Sequence, residues 1–139
     1  MADEYPEFRL RLPNGGPEAR GWLTPEMGTN GSQRFVVGPG QPVRPDFVPS
    51  FPKRAASAHR LRQHLFKEGR IRPSQTWPGW LETAEEITFN SSSEAAAVLT
   101  GRNNNGWRAW KTGDGRPLGD FLTVMPWGPS RAWLVRGSN

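Results

Sequence analysis

Cysteine is absent from this chain of 139 residues, and histidine and tyrosine are scarce. The lack of cysteine excludes disulfides, thiolate nucleophiles and cysteine-ligated zinc. The 2 histidines, His59 and His64, are five positions apart on a predicted helix. They therefore point about 140° apart around its axis and cannot easily share a metal ion. We expect no metal and no cofactor.

The motifs of several enzyme classes are also missing. No Asp or Glu stands two residues before a lysine, as PD-(D/E)xK nucleases require, and Tyr5 is the single tyrosine, too few for GIY-YIG chemistry. Gly113, Gly115 and Gly119 do not form a phosphate-binding loop, and no Gly-x-Ser-x-Gly elbow is present. The sequence thus predicts a protein that is not an enzyme and that acts by binding or assembly.

Long apolar runs are missing as well. None approaches the roughly 18–20 residues that cross a bilayer. The opening residues, MADEYPEF, are acidic and polar, unlike a secretory signal. We therefore expect a cytoplasmic protein with no membrane partner.

A length of 139 residues with 35 % hydrophobic residues supports one core rather than two, so a single domain over 1–139 is expected.

The net positive charge comes from one segment. Of the 18 basic and 13 acidic residues, seven basic ones and a single acid, Glu68, lie between Lys53 and Arg72. That segment carries a net charge of +6, and the rest of the chain carries −1. A local positive field favours a polyanionic partner such as a nucleic acid. The arginine bias of a GC-rich genome is the alternative explanation.

The first half of the chain has the period of β-strands. Phe8, Leu10 and Leu12 alternate with polar residues, as in a strand with one buried face. Further strands are expected at 19–23, at 33–37 and within 80–90, where Ile87 and Phe89 share one side. The proline-rich segment 38–52 is expected to be an ordered surface connection.

Two main helices are predicted, which makes the fold class α+β with a small antiparallel sheet. The first runs from Lys53 to Glu68 and is followed by Gly69, a left-handed cap. Its outer face carries Lys53, Arg60, His64 and Lys67, and this is either a polyanion contact or a solvated face. The second helix starts at Ser91 with a capping box to Glu94 and stops at Gly101.

The segment GRNNNGWRAWKTGDG, residues 101–115, follows the second helix. Asn105 and Gly106 favour a turn in which Gly106 has positive φ. A strand over 107–111 would place Trp107 and Trp110 on opposite faces, so that an exposed ring could stack on an unpaired base. Alternatively, both rings close the core. We also expect a helical turn over 117–123 and a last strand over 131–135.

A resemblance is carried by FNSSSEAAAVLTGRNNNGWRAWKTGDGRPLGDF and, upstream, by EARGW, RFVVGPG and HRLRQHLFKEGRI. These stretches, within about 17–123, resemble an uncharacterised domain attached to GIY-YIG endonucleases and restriction-modification proteins. They are similar too to the restriction enzyme adenine methylase associated (RAMA) domain, a modified-DNA reader. One departure is Gly38-Pro39, where the pattern has Gly-Ser. The motif positions are Ser91, Ser93, Ala96, Ala97, Gly101, Arg102, Asn105, Gly106, Trp107, Trp110 and Lys111.

The resemblance implies a small α+β domain that acts at DNA in a restriction or phage-defence context. Its partners would be DNA, with or without modified bases, and a nuclease, methylase or helicase encoded nearby. The alternative is a protein-interaction domain, a subunit or inhibitor of a defence complex, that uses its basic face. The expected nucleic-acid-binding residues are Lys53, Arg60, His64, Lys67, Arg70, Arg72, Arg102, Asn103, Asn104, Asn105, Arg108, Trp110 and Lys111.

Overall fold

The computed structural model describes residues 5–28 and 32–122. Its strands are β1 (Phe8–Arg11), β2 (Glu18–Met27), β3 (Gln33–Val37), β4 (Pro42–Val43), β5 (Ile71–Pro73), β6 (Leu81–Thr83) and β7 (Ile87–Phe89). Its helices are α1 (Phe51–Arg54), α2 (Ala56–Lys67), α3 (Ser92–Thr100), α4 (Gly106–Ala109) and α5 (Gly119–Leu122). The predicted α+β class, with antiparallel sheets and two longer helices, is confirmed.

Two antiparallel sheets form the framework. The larger has the strand order β1-β2-β3-β7, and the smaller has the order β4-β6-β5. The alternation predicted for the first strand is present, because Phe8 and Leu10 are buried while Arg11 is exposed. In the larger sheet Phe35 pairs with Phe89, and both are buried. One face of this sheet therefore supplies much of the core.

Helix α3 covers that core. Its residues from Ala95 to Thr100 are all buried, and small alanine side chains let the helix lie close to the sheet. The predicted cap is present: the Ser91 hydroxyl accepts a hydrogen bond from the Glu94 amide at 3.0 Å, and the Glu94 carboxylate accepts one from the Asn90 amide at 2.9 Å. The start of α3 is thus fixed by local sequence.

The predicted helix over 53–68 is divided in two. Helix α1 ends before Ala55, whose φ of −137° and ψ of 55° are not helical, and α2 begins at Ala56. The sequence predicts that Lys53 shares one outer face with Arg60 and Lys67. Lys53 instead belongs to α1, and Arg60 and Lys67 belong to α2. The cap at Gly69 is confirmed by its φ of 78°.

The proline-rich connection is more buried than the surface connection that the sequence predicts. It contains β4, and two of its side chains, Val43 and Phe51, are fully buried. The Arg44 amide donates to the Leu99 carbonyl at 2.9 Å, and the Val48 amide donates to the Gly101 carbonyl at 2.9 Å. The connection is thus held along the C-terminal end of α3.

The strand predicted over 107–111 is wrong. Residues 106–109 form helix α4, and only Lys111 makes a β-bridge, with Arg9 and Pro117. Trp107 and Trp110 are three residues apart, a spacing that a helical turn accommodates. The Asn105 side chain caps this turn by accepting a hydrogen bond from the Trp107 amide. The turn predicted over 117–123 is confirmed as α5, and the strand predicted over 131–135 lies outside the described residues.

No helix in the described part of the chain is long and apolar enough to cross a membrane.

Candidate functional site

The turn between α3 and α4 is held tightly against the rest of the domain. Gly101 ends α3 in the left-handed region, with φ of 68°, and its amide donates to the Ala97 carbonyl. A Cβ atom on Gly101 would stand 2.6 Å from the Asp46 carbonyl oxygen and 2.8 Å from the Cα of Phe47. Glycine is required here by both conformation and space, so the turn has a fixed position.

Helix α4 begins directly against α3. The Asn105 side chain accepts a hydrogen bond from the Trp107 amide at 3.0 Å, and the Gly106 amide donates to the Ser93 hydroxyl at 2.8 Å. The predicted positive φ at Gly106 is wrong, because Gly106 is helical and is not among the positive-φ residues of the structure. It is needed for space, since the backbone of Ser92 and Ser93 leaves no room for a side chain.

The two tryptophans of the motif have different environments. Trp110 is fully buried, 4.4 Å from the Phe35 ring between centroids, and its indole donates to the Ser92 carbonyl at 3.0 Å. Its predicted role in nucleic-acid binding is wrong, because no part of the ring is accessible. Trp107 is 54 % exposed, so the alternative in which both rings close the core is also wrong.

One groove runs between the α1-α2 junction and α3. We call it the helix groove, and it has a volume of about 450 Å³. Lys53 and Arg54 lie on one side of it, and Asn103 and Asn104 lie on the other. The basic segment and the Asn-rich motif, which are about fifty residues apart in sequence, meet here. Of the predicted site residues, Lys53, Asn103 and Asn104 are therefore brought together at this groove.

A second groove, which we call the strand groove, lies on the other side of the same turn and has a volume of about 480 Å³. The Lys111 amide donates to the Arg9 carbonyl at 2.9 Å, and this bridge places β1 beside the segment that follows α4. The cationic side chains lining the groove are Arg9, Arg11, Arg108 and Lys111, and the acidic one is Glu18.

Asn104 lines both grooves. Its side-chain amide donates to the Thr100 hydroxyl at 3.2 Å, and that hydroxyl donates to the Ala96 carbonyl at 2.7 Å. These bonds orient Asn104 at the point where the grooves adjoin. The two grooves therefore form one surface, which includes the exposed Asn103, whereas the exposed Arg102 lines neither groove.

Residues 24–122 match a family model described as a domain of unknown function, DUF4357. The chain belongs to the DUF4357 family. No curated protein and no solved structure matches the chain. The match lies within the range of 17–123 that the sequence motifs indicate. The helix groove is built entirely inside the DUF4357 match, whereas Arg9, Arg11 and Glu18 of the strand groove precede it.

Cations without a carboxylate partner gather around this part of the DUF4357 domain. Among the described residues, the exposed Lys and Arg side chains with no carboxylate oxygen within 4.0 Å are Arg11, Lys53, Arg54, Arg60, Lys67, Arg102, Arg108 and Lys111. Five of them, Arg11, Lys53, Arg54, Arg108 and Lys111, line the two grooves. Most of the unpaired cations in the described part of the chain therefore lie at the grooves.

Three residues of the predicted site are paired elsewhere. Arg70 lies 2.6 Å from the Glu85 carboxylate, Arg72 lies 3.0 Å from the Glu82 carboxylate, and His64 lies 2.9 Å from that of Glu68. None of the three lines a groove. Arg60 and Lys67 are exposed on α2, also outside both grooves. The predicted basic segment is thus divided among several surfaces.

Glu82 is a buried carboxylate that needs its cation. Burial raises the pKa of Glu82, but hydrogen bonds from Arg72, Ser74 and the Gln75 amide, together with the Arg72 charge, bring the pKa below its ordinary 4.5. Arg72 supplies two of these bonds, from Nε at 3.1 Å and from Nη2 at 3.0 Å. Arg72 therefore stabilises the fold rather than the candidate site.

Arg62 has a structural role that charge counting does not show. Its side chain is 7 % exposed, and its guanidinium donates to the carbonyls of Val98 at 2.8 Å, Arg44 at 2.6 Å and Asp46 at 3.1 Å. Burial lowers the pKa of Arg62 to about 10, so the group is charged at neutral pH. Arg62 joins α2, α3 and the 44–46 loop.

Arg9, Arg11 and Arg54 are cationic groove residues that the predicted site did not include. The signal was present, because the alternation of β1 places Arg9 and Arg11 on the side opposite Phe8 and Leu10. Arg9 and Arg11 lie near Lys111 through a long-range contact, which no local sequence pattern predicts.

In residues 5–28 and 32–122 there is no group of three His, Asp or Glu side chains that could hold a metal ion.

Proposed function

We propose that this protein is a non-catalytic DNA-binding domain whose contact surface is formed by the helix and strand grooves. The observation that carries the proposal is the gathering of unpaired cations on both sides of Asn104. A surface of this kind attracts the phosphates of a nucleic acid, and each contact releases a counterion. Lys53, Arg54, Arg108 and Lys111 supply these contacts in the proposal.

The polar turn between the grooves has the chemistry for base contacts. Asn103 is exposed and lines the helix groove, and the exposed Arg102 precedes it in the turn. An asparagine amide can pair with adenine, and an arginine fork can pair with guanine, in the major groove. The exposed Trp107 ring stands beside Arg108 and offers a stacking surface. In this account phosphates position the domain and the turn reads bases.

The finer proposal is that the turn distinguishes modified from unmodified DNA in a restriction or phage-defence context. It is supported by the resemblance to the RAMA domain and to the domain attached to GIY-YIG endonucleases. A nuclease, methylase or helicase would then supply the catalytic step, since this sequence lacks the motifs of such enzymes. The alternative partner for the cationic surface is an acidic protein.

Fluorescence anisotropy with a labelled duplex at low salt tests the proposal. We expect saturable binding for which unlabelled duplex competes better than heparin at equal charge. Duplexes of one sequence with and without N6-methyladenine or 5-methylcytosine then test the finer proposal. Absence of binding to any DNA would contradict the proposed function and favour the acidic protein. Equal affinity for all duplexes would contradict only the reading of modification.

A further inference from the structure

A third cavity lies on the other side of α2 and shares no residue with the two grooves. We call it the aromatic pocket, and it has a volume of about 180 Å³. The lining residues that bear on its chemistry are Phe47, His59, Arg62, Gln63, Phe66 and Ile71. His59, Gln63 and Phe66 recur at spacings of four and three, so they form one stripe along α2.

Aromatic rings make up much of the wall. Phe66 is 53 % exposed and Phe47 is 40 % exposed. The His59 ring meets Phe47 edge to face at 5.1 Å and Phe51 at 5.6 Å between centroids, so the histidine and Phe47 are held by the buried Phe51. The pocket is therefore framed by rings on a rigid support and offers faces for a further ring.

Arg62 and Gln63 add polar groups to this apolar wall. Arg62 is buried, and its terminal nitrogens are fixed by three backbone carbonyls. Its Nε makes no hydrogen bond to any residue that the structure describes. The exposed Gln63 amide can both donate and accept. An occupant with a flat ring and polar edge atoms matches these groups.

The surrounding charge favours an anionic chain. Arg60 and Lys67 are exposed on the adjoining stripe of α2 and have no carboxylate partner among the described residues. Two acids close in sequence to the lining residues have partners, because the Glu68 carboxylate lies 2.9 Å from His64 and that of Asp46 lies 2.7 Å from Arg44. Cations beside a stacking surface are the combination by which proteins bind single-stranded nucleic acid.

The volume limits the occupant to a single ring system. Pockets for drug-sized ligands measure roughly 300–1,000 Å³, and this one is about 180 Å³. We propose that the aromatic pocket binds one unstacked nucleobase, while Arg60 and Lys67 contact the phosphates beside it. The inference rests on the proposed function in one respect, that the ligand is a nucleic acid, and it adds that one base is unpaired.

The test compares Phe66→Ala with the control Trp22→Ala, which removes another exposed aromatic ring from the outer face of the larger sheet. The probes are an oligothymidine strand and a blunt duplex, with binding measured by anisotropy. We expect Phe66→Ala to weaken binding to the single strand by about 5- to 150-fold. Binding to the duplex and the melting temperature are expected to stay within error of the wild type, as is every property of Trp22→Ala.

Chemical shifts separate this inference from the proposed function. On titration with oligothymidine we expect the Gln63 side-chain amide and the Phe66 ring to shift, and we expect the Gln63 shift to be lost in Phe66→Ala. If these signals do not move, or if Phe66→Ala binds the single strand as well as the wild type does, the base pocket is overturned, whatever the duplex does. If the pocket signals move but Lys53→Gln and Arg108→Gln leave duplex binding unchanged, the groove proposal fails and the pocket stands.

Discussion

Gly106 at the start of α4 lies against Ser92 at the start of α3, so closely that a Cβ atom on Gly106 would stand 2.5 Å from the Ser92 hydroxyl oxygen. The Gly106 amide also donates to the Ser93 hydroxyl at 2.8 Å. This contact sets the position of α4 and, with it, of Arg108 and Trp107. The candidate surface therefore depends on one glycine of the motif.

Replacement of Gly106 by alanine is expected to destabilise the protein by about 1–3 kcal/mol, because the new methyl group would overlap backbone atoms that cannot move aside. Chemical denaturation measures the change. Gly113→Ala is the matched control, since its Cβ would meet only the flexible end of Arg9 at 3.5 Å. Equal stability of the two variants would contradict the close approach.

Replacement of Arg62 by lysine is expected to lower the free energy of unfolding by about 1–3 kcal/mol. A single ammonium group cannot reproduce the fork that reaches the carbonyls of Val98, Arg44 and Asp46, so buried acceptors would be left unpaired. Arg60→Lys, an exposed position on the same helix, is expected to change stability by less than about 0.5 kcal/mol. Urea unfolding of both variants checks this, and equal effects would contradict a structural role for Arg62.

Stability is expected to depend on the ionisation of Glu82 at low pH. Because the pKa of Glu82 is lower in the folded protein than its ordinary 4.5, its contribution is complete above that value and is lost as the pH falls through the folded pKa. Glu82→Gln should therefore be less stable than the wild type at neutral pH, and the difference should shrink below pH 4.5.

Glu86→Gln is the control for that pH series, because it removes the same charge from an exposed side chain that has no ion pair within the described residues. Denaturant midpoints at several pH values give the comparison. A difference between Glu82→Gln and the wild type that is constant with pH would show that the carboxylate is not the stabilising group.

The asparagines of the turn are expected to separate into structural and recognition roles. Asn103→Ala should leave the melting temperature unchanged and reduce discrimination between DNA ligands by about 1–3 kcal/mol, because this side chain is exposed beside the helix groove. Asn104→Ala should also lower stability by about 0.5–1.5 kcal/mol, since it loses its bond to Thr100.

Thr100→Val tests that division, because it removes the partner of Asn104 from a buried position without changing a residue that lines either groove. It should be less stable than the wild type with unchanged discrimination. Loss of discrimination in Thr100→Val but not in Asn103→Ala would assign this turn to the scaffold alone.

Local sequence predicted the features whose physical cause is local. The alternation around Phe8, the cap at Ser91, the left-handed Gly69 and the end of the helix at Gly101 all depend on neighbours within a few positions, and the structure confirms each. The strand expected over 107–111 was wrong, because the spacing of three between Trp107 and Trp110 is typical of a helical turn but was interpreted as the two faces of a strand. The Asn105 cap, a local signal for α4, was interpreted as a turn.

The remaining features depend on partners far away in sequence. Arg62 counted as one of the basic residues of its segment, yet its acceptors are carbonyls 16, 18 and 36 positions away. Arg9 reaches the candidate site only through its bridge to Lys111. Such contacts follow from tertiary packing, which neither side-chain periodicity nor net charge encodes. The pairing of Arg70 and Arg72 with glutamates is of the same kind.

The salt dependence of duplex binding tests the central claim most directly. A triple variant, Lys53→Gln, Arg108→Gln and Lys111→Gln, removes groove cations that have no ion pair among the described residues. The matched control is Arg20→Gln, Arg34→Gln and Arg70→Gln, which changes the net charge equally at cations paired with Glu7, Glu26 and Glu85. The account predicts that the groove variant makes the negative slope of log K against log salt shallower by about 2.7, as three lost phosphate contacts require, while the control retains nearly the wild-type slope. Equal slopes for the two variants would contradict DNA binding through the grooves.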